Sequence, residues 1–214
     1  MVSFGEWLGK TDCRPNPANA PKTIDISDLL DGAIRLCMAE SLGTSLEHGL
    51  AIGGKRNSNP IIFLGGTIKK GGEAHVSIAL GEAPEEPMGT FHTHPVKVGE
   101  TSGGHSTADL SYFNKNPGCI FMLVTEIAAQ PSGWPRVIHH LFVRGRDGKL
   151  SDDFHKHHDT IVQQVVAQAS GGVRANVTDQ MLLNGQAAAL TYVAKNNGFM
   201  YYKSKSHSAE LELQ

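Results

Sequence analysis

The most apolar run of this 214-residue chain, GCIFMLVTE at 118–126, is the feature that most limits its fold. Nine residues are too few to cross a bilayer, and a short apolar run with β-branched and aromatic side chains is typical of a buried strand. A second run, VIHHLFVR at 137–144, follows after a Trp-Pro loop and predicts a neighbouring strand. We therefore expect the two runs to lie side by side near the middle of a sheet.

Other strand-like and helix-like segments set the fold class by their order. A helix is predicted from Asp25 or Ser27, because apolar residues then recur at steps of three and four. Further helices are predicted at 106–116, 151–170 and 177–195. The remaining predicted strands are 49–54, 61–68, 74–80, 88–95, where Pro95 ends the strand, and 198–204. This order predicts an α/β (α+β) fold with a mixed central β-sheet flanked by helices.

Changes in composition divide the chain into three parts. Residues 1–24 are rich in Pro and Asn and predict an irregular N-terminal arm, followed by one domain over 25–148. Residues 149–214 are expected to form a mostly helical C-terminal extension. Its role stays open between a substrate-recruiting element, a dimer contact and a cover for the sheet.

The bulk composition excludes several classes of function. The formal net charge is −2 and no stripe of Lys or Arg is present, which argues against nucleic-acid binding. Three cysteines at long spacings form no disulfide framework. No signal peptide and no apolar run of about 20 residues is evident. We therefore expect a cytoplasmic protein without membrane contact.

His92 and His94 stand two residues apart at the end of a predicted strand. Alternation along a strand turns both imidazoles to one face, where they can bind one metal ion at about 2.0–2.1 Å. Asp109, in the first turn of the helix that opens at Ser106, can supply a third ligand. Two histidines and one carboxylate leave a position open for water, as in catalytic zinc sites. The sequence therefore predicts one Zn²⁺ per chain, held by His92, His94 and Asp109.

Water activated by a metal needs a proton acceptor, and a glutamate outside the ligand set is the usual choice. Glu47 directly precedes the segment HGLAIGG, and the start of that strand can face the metal if it runs beside the histidine strand. Glu40 and Glu73 are alternatives, but the first falls inside a predicted helix and the second in a hairpin turn. We therefore rank Glu47 first as the general base.

Three segments resemble, in chain order, the signature of the JAB/MPN+ (JAMM) zinc metalloprotease family, and the resemblance covers roughly residues 25–148. They are Glu47 followed by HGLAIGG, then GTFHTHP, and then STADL starting at Ser106. The resemblance implies an MPN/cytidine-deaminase-like layer of sheet and helices. It implies that His92, His94 and Asp109 bind zinc, that Glu47 is the general acid/base acting on a zinc-bound water, and that Ser106 stabilises the oxyanion. The implied reaction is cleavage of peptide or isopeptide bonds at the C-terminus of a ubiquitin-like or sulfur-carrier protein.

The spacing between the two motifs departs from the family. Eleven residues separate His94 from Ser106, which is more than the family usually has, and the excess falls in the glycine-rich stretch GETSGGH. It also brings His105 next to Ser106, which the family motif does not predict. The loop 96–105 is either a mobile flap at the mouth of the site or a passive insertion, and both interpretations stay open.

Two other functions stay open beside the hydrolase of ubiquitin-like proteins. One is a peptidase acting on cell-wall or phage peptides, and the other is a non-catalytic MPN-type scaffolding module. A nucleoside deaminase is excluded, since neither HxE nor PCxxC is present. The FHKHH histidines at 155–158 are expected on a solvated helix face. His139 and His140 alternate along a strand, so at most one of them is expected to face any one core, and a structural role is expected for them.

Overall fold

The computed structural model describes residues 1–30, 32–96, 104–128, 130 and 135–214. Within these residues, ten strands belong to one sheet and five α-helices accompany it. The strands are β1 (Val2–Ser3), β2 (Thr23–Asp25), β3 (His48–Gly54), β4 (Phe63–Gly65), β5 (Lys69–Lys70), β6 (Glu86–Val96), β7 (Phe121–Ala128), β8 (Arg136–Arg144), β9 (Phe199–Ser204) and β10 (Glu210–Leu213). The helices are α1 (Phe4–Lys10), α2 (Gly32–Thr44), α3 (Thr107–Lys115), α4 (Phe154–Ser170) and α5 (Asp179–Asn196).

The strand order is β1-β2-β10-β9-β8-β7-β6-β3-β4, and β5 pairs with β3 outside this path. The pairs β6–β7 and β1–β2 are parallel, whereas the other pairs are antiparallel. The two apolar runs that predict central strands are β7 and β8, and they lie side by side. The predicted α/β fold with a mixed sheet flanked by helices is confirmed.

Two apolar cores lie on opposite faces of the sheet. One packs α1 and α2 against the sheet, through side chains such as Trp7, Ile34 and Phe121. The other packs α3 and α5 against it, through side chains such as Phe113, Phe142 and Leu190. Because both faces are covered, His139 and His140 are both buried. They alternate along β8 toward opposite faces, so at most one of them faces either core, as predicted. Within the described residues, no helix is long and apolar enough to cross a membrane.

The N-terminal residues are more ordered than their composition predicts. Ser3 caps α1 by accepting a hydrogen bond from the Glu6 backbone N–H. Phe4 and Leu8 are fully buried in the first core. The prediction of an irregular arm over 1–24 is therefore wrong for α1, because its aromatic and aliphatic side chains bury apolar surface that outweighs the local Pro and Asn content.

Three further predictions of secondary structure differ from the structure. The segment 74–80 is not a strand: Ile78 instead packs on the face of β3, where a Cβ at Gly49 would lie 2.5 Å from Ile78 Cδ1. Strand β6 continues through Pro95 to Val96 because it still pairs with β7 there. Helix α2 starts at Gly32 and not near Asp25, whose carboxylate accepts a hydrogen bond from Ser27 N in a local turn (2.8 Å).

Candidate metal centre

Strand β6 and the first turn of α3 bring three potential ligands together. His92 and His94 project from the same face of β6, as their spacing predicts. Asp109 is the third residue of α3, and its carboxylate and the Ser106 side chain form a reciprocal capping box. The cap fixes the Asp109 carboxylate in position. Among the described residues, His92, His94 and Asp109 form a group that could hold a metal ion.

The distances within this group suit a tetrahedral metal. His92 Nε2 lies 3.0 Å from His94 Nε2 and 3.2 Å from Asp109 Oδ1, and His94 Nε2 lies 3.6 Å from Asp109 Oδ2. Ligands bound to one zinc at about 2.0–2.1 Å and tetrahedral angles are about 3.3 Å apart. The two imidazole nitrogens and the carboxylate group therefore lie close enough together to share one cation.

The electrostatics of the group favour a cation. Burial lowers the pKa of His92, but the negative charge and hydrogen bond of Asp109 outweigh burial and raise it overall. Burial raises the pKa of Asp109, yet the neighbouring histidines hold it well below its usual range. Burial, together with His92, lowers the pKa of His94 to about 4. An ionised Asp109 beside a neutral His94 can accept a metal cation, which would displace the proton that Asp109 favours on His92.

Glu47 lies beside the ligand group at the entrance to β3. Its Oε1 is 3.8 Å from His94 Nε2, and its backbone is held by hydrogen bonds with Gly71 and Gly72 of 2.8 Å each. Burial raises the pKa of Glu47 to about 7; the positive charge of His92 lowers it and the negative charge of Asp109 raises it. Of the two alternatives, Glu40 lies 3.8 Å from His48 Nε2 and does not line the cleft described below, whereas Glu73 is exposed and lines it.

Ser106 hydrogen-bonds to the candidate ligand Asp109 and is not itself part of the group that could hold a metal ion. Its Oγ donates a hydrogen bond to Asp109 Oδ2 (2.8 Å) and accepts one from Asp109 N (3.1 Å). The Ser106 backbone N–H donates to the same carboxylate oxygen at 2.7 Å. Asp109 thus uses Oδ2 for the cap and keeps Oδ1 toward His92. The role of Ser106 in stabilising an oxyanion stays a prediction.

Behind the ligands, Gly104 contacts both His94 and His140. The His94 imidazole is hydrogen-bonded to the Gly104 backbone, and Gly104 has a φ of +87°. A Cβ at this position would lie 2.5 Å from His140 Nδ1. His140 cannot easily yield, since it is buried, bonded to the Tyr201 hydroxyl (2.8 Å) and 3.6 Å from a Glu126 carboxylate oxygen. The sequence does not indicate this packing, because β8 and β9 lie far from Gly104 along the chain.

We expect Gly104→Ala to weaken metal binding by roughly 10–100-fold, the usual cost of disturbing a group that orients a metal-bound histidine. The added methyl group meets His140, and the positive φ strains any side chain, so the hydrogen bond to His94 shifts. Competition with a chelator of known affinity measures the change. Gly81→Ala is the matched control, because nothing lies within 4 Å of its Cβ position. Unchanged affinity in a folded Gly104→Ala protein would contradict this role.

The ligand group opens into a cleft of about 590 Å³. Its walls come from distant parts of the chain: the segment 73–78, the start of α3, and both C-terminal helices through His158 and Gln186. His155 and His157 are exposed, as the prediction of a solvated face requires, but His158 is buried, so the prediction is wrong for it. The predicted flap at 96–105 falls mostly on 97–103, which lie outside the described residues.

The structure therefore brings together His92, His94, Asp109 and Glu47, and it places Ser106 at their edge. Two other groups of the cleft, His105 and Gln186, were missed as site residues. The position of His105 next to Ser106 is a sequence signal for the first, but no local pattern points to Gln186.

Neither the family models nor the curated proteins compared with this chain match it. The family assignment therefore stays a prediction based on the motifs.

Proposed function

We propose that this chain is a zinc-dependent hydrolase of the JAMM type that cleaves peptide or isopeptide bonds. The single observation that carries the proposal is the position of Glu47. Its carboxylate lies 3.8 Å from a ligand histidine without belonging to the ligand group, and its pKa is raised to about 7. A group that must take up a proton and return it works best when its pKa is near the working pH.

The donor set supports zinc as the metal. Two imidazole nitrogens and one carboxylate oxygen are the ligands of many catalytic zinc sites. The same set binds Fe(II) in some oxygenases, but a buried glutamate beside the ligands supports proton transfer and hence hydrolysis. Bound zinc supplies a Lewis acid that polarises a carbonyl group and lowers the pKa of water to near 7.

The residues of the chain would divide the remaining work. His92, His94 and Asp109 hold the metal, and the capping box fixes the Asp109 carboxylate. Glu47 accepts a proton from the attacking water at a carboxylate oxygen and then donates it to the nitrogen of the leaving amine. Ser106, exposed at the start of α3, would donate to the developing oxyanion after its hydroxyl turns from Asp109.

The motifs also support a choice among substrates. Their order resembles enzymes that act at the C-terminus of ubiquitin-like or sulfur-carrier proteins, and we propose this substrate class first. A peptidase for cell-wall or phage peptides would use the same machinery. A scaffolding module is less well supported, because the chain keeps all the ligand residues together with Glu47.

Cleavage by the zinc-loaded protein tests the proposal. The probes are a ubiquitin-like protein carrying a C-terminal fluorogenic amide and a panel of short unrelated peptides. We expect Glu47→Gln to retain zinc and the fold while its rate falls by at least about 10²-fold, the usual contribution of general acid–base catalysis. Zinc content and circular dichroism confirm that only the proton acceptor has changed.

Glu40→Gln and Glu73→Gln are the matched controls and should keep rates near that of the wild type. A wild-type rate in Glu47→Gln would show that another residue is the base. If the zinc-loaded wild type cleaves no probe, the hydrolase proposal fails and the scaffolding module becomes the better account. Cleavage of the peptides alone would favour the general peptidase.

A further inference from the structure

Two buried hydroxyl groups link the chain around Glu47 to the strand that carries the histidine ligands. The backbone N–H of His48 donates to Thr93 Oγ1 at 3.0 Å, and Thr93 Oγ1 donates to Ser41 Oγ at 2.8 Å. Ser41 Oγ in turn donates to the Leu46 carbonyl oxygen at 2.8 Å. The residues on both sides of Glu47 are therefore held by one hydrogen-bonded pair of side chains, Thr93 and Ser41.

The direction of each bond in this pair is fixed by chemistry. A carbonyl oxygen can only accept, so the single hydroxyl hydrogen of Ser41 goes to Leu46 and its oxygen accepts from Thr93. Thr93 Oγ1 then accepts from the backbone N–H of His48, and it also lies 3.3 Å from the carbonyl oxygen of that residue. Thr93 and Ser41 are both 0% exposed, so bulk water does not compete for these bonds. A buried network whose members are all paired is rigid.

The position of Thr93 in β6 connects this pair to the candidate metal centre. Thr93 lies between the two histidine ligands, and strand alternation turns its side chain to the face opposite theirs. Among the described residues, the ladder between β3 and β6 ends where Gly49 pairs with His92. Beyond that pair, the hydrogen bond from His48 N–H to Thr93 Oγ1 continues the connection between the two strands. The strand that places the imidazoles therefore also places the backbone around Glu47.

The backbone of Glu47 itself is bonded to a different part of the chain. Its N–H donates to Gly72 and its carbonyl oxygen accepts from Gly71, at 2.8 Å each. Both glycines follow β5, which pairs with the start of β3. These bonds hold Glu47 to the β3–β5 side of the turn, whereas Thr93 and Ser41 hold its neighbours to β6.

We propose that Thr93 and Ser41 are positioning residues for Glu47. Because they fix the backbone on both sides of Glu47 relative to β6, they hold its carboxylate within reach of the proton that it accepts and outside the ligand group. A displacement of about 1 Å in a reacting group can lower a rate by about 10²-fold, so the distance that they set controls the rate. The inference rests on the proposed function, which gives Glu47 the role of general base.

Removal of the Thr93 hydroxyl group tests the inference through kinetics. Thr93→Val keeps the branched shape of the side chain and leaves His48 N–H without its acceptor. With whichever ubiquitin-like or peptide probe the wild type cleaves, we expect kcat to fall by roughly 10–100-fold. KM and zinc content should stay at wild-type values, because the ladder between β6 and β7 still holds both ligand histidines. Thr93→Ser keeps the hydroxyl group and should restore kcat.

Thr125→Val is the matched control. Thr125 pairs with Thr93 across β6 and β7, is equally buried, and its hydroxyl group is bonded to His139 Nδ1 at 2.8 Å. The same change there removes a buried hydroxyl group whose bond leads away from Glu47, so kcat should stay near that of the wild type. Equal losses in the two valine variants would reveal a general effect on the fold and overturn the inference, as would a wild-type kcat in Thr93→Val.

Ser41→Ala breaks the pair at its other end and carries the same test if Thr93→Val does not fold. Because the two hydroxyl groups act through one chain of bonds, the double variant should lose no more than the larger of the two single losses. Losses that multiply in the double variant would show two independent effects and would contradict a shared role.

Crystal structures of the zinc-loaded variants test the inference without requiring cleavage. The distance from Glu47 Oε1 to His94 Nε2, which is 3.8 Å here, should lengthen by about 1 Å in Thr93→Val and stay unchanged in Thr125→Val. A Glu47 carboxylate that keeps its place in both Thr93→Val and Ser41→Ala would overturn the inference, whatever the activity. A displaced carboxylate, together with a wild type that cleaves neither probe, would sustain the positioning role while rejecting the hydrolase.

Discussion

His92→Ala and Asp109→Ala are each expected to lower zinc affinity by more than about 100-fold, beyond what the loss of an outer partner costs. Each variant removes one of three side chains whose potential ligand atoms lie within 4.8 Å of one another. Two remaining ligands cannot hold zinc against water as three do. Elemental analysis after dialysis against a weak chelator, with zinc supplied during purification, measures the loss.

The controls separate ligand loss from changes in the fold or the cleft. His158→Ala and Asp159→Ala remove a histidine and an aspartate that line the same cleft but lie outside the ligand group, and both should retain zinc. Ser106→Ala removes the α3 cap at a cost of about 1 kcal/mol of stability. Because its hydroxyl holds the Asp109 carboxylate, this variant should weaken zinc binding by roughly 10–100-fold, which is less than either ligand variant. Wild-type zinc content in either ligand variant would contradict the centre.

The sequence predicts the candidate metal centre because the residues that form it lie close together along the chain, in two short segments. His92 and His94 share a strand, and strand alternation alone places their imidazoles together. Asp109 and Ser106 lie within one helical turn, where capping chemistry fixes their relation. Glu47 needs one further condition, that β3 runs beside β6, and the register that pairs Gly49 with His92 meets it.

The residues that sequence reasoning missed are those whose placement depends on distant packing. Gln186 reaches the cleft because α5 packs over the second core, where Leu190 and Val193 are buried. Segment 74–80 alternates as a strand does, yet Ile78 packs on a face of β3. Local periodicity cannot choose between pairing at the edge of a sheet and packing on its face.

Removing residues 149–214 is expected to abolish folding, which tests whether they form a separate extension. Strand β9 pairs with β8 on one side and β10 on the other, so the deletion exposes the full edge of β8. The second core also loses seven members: Leu150, Phe154, Leu190, Val193, Ala194, Phe199 and Tyr201. Large buried apolar side chains contribute about 1.5–3 kcal/mol each, and their sum is comparable with the whole stability of a typical domain.

Expression of 1–148 alone should therefore give an insoluble or unfolded chain by circular dichroism, with no zinc bound. Coexpression of 1–148 with a separate 149–214 chain is the matched control, because every residue is present and only one bond is missing. This pair should recover a soluble, zinc-binding complex, since the β8–β9 ladder can form between chains. If a 1–148 fragment folds and binds zinc by itself, the chain does divide into a domain and a separate extension at residue 148. The C-terminal wall of the cleft, including Gln186, would then be an addition to a domain that is complete without it.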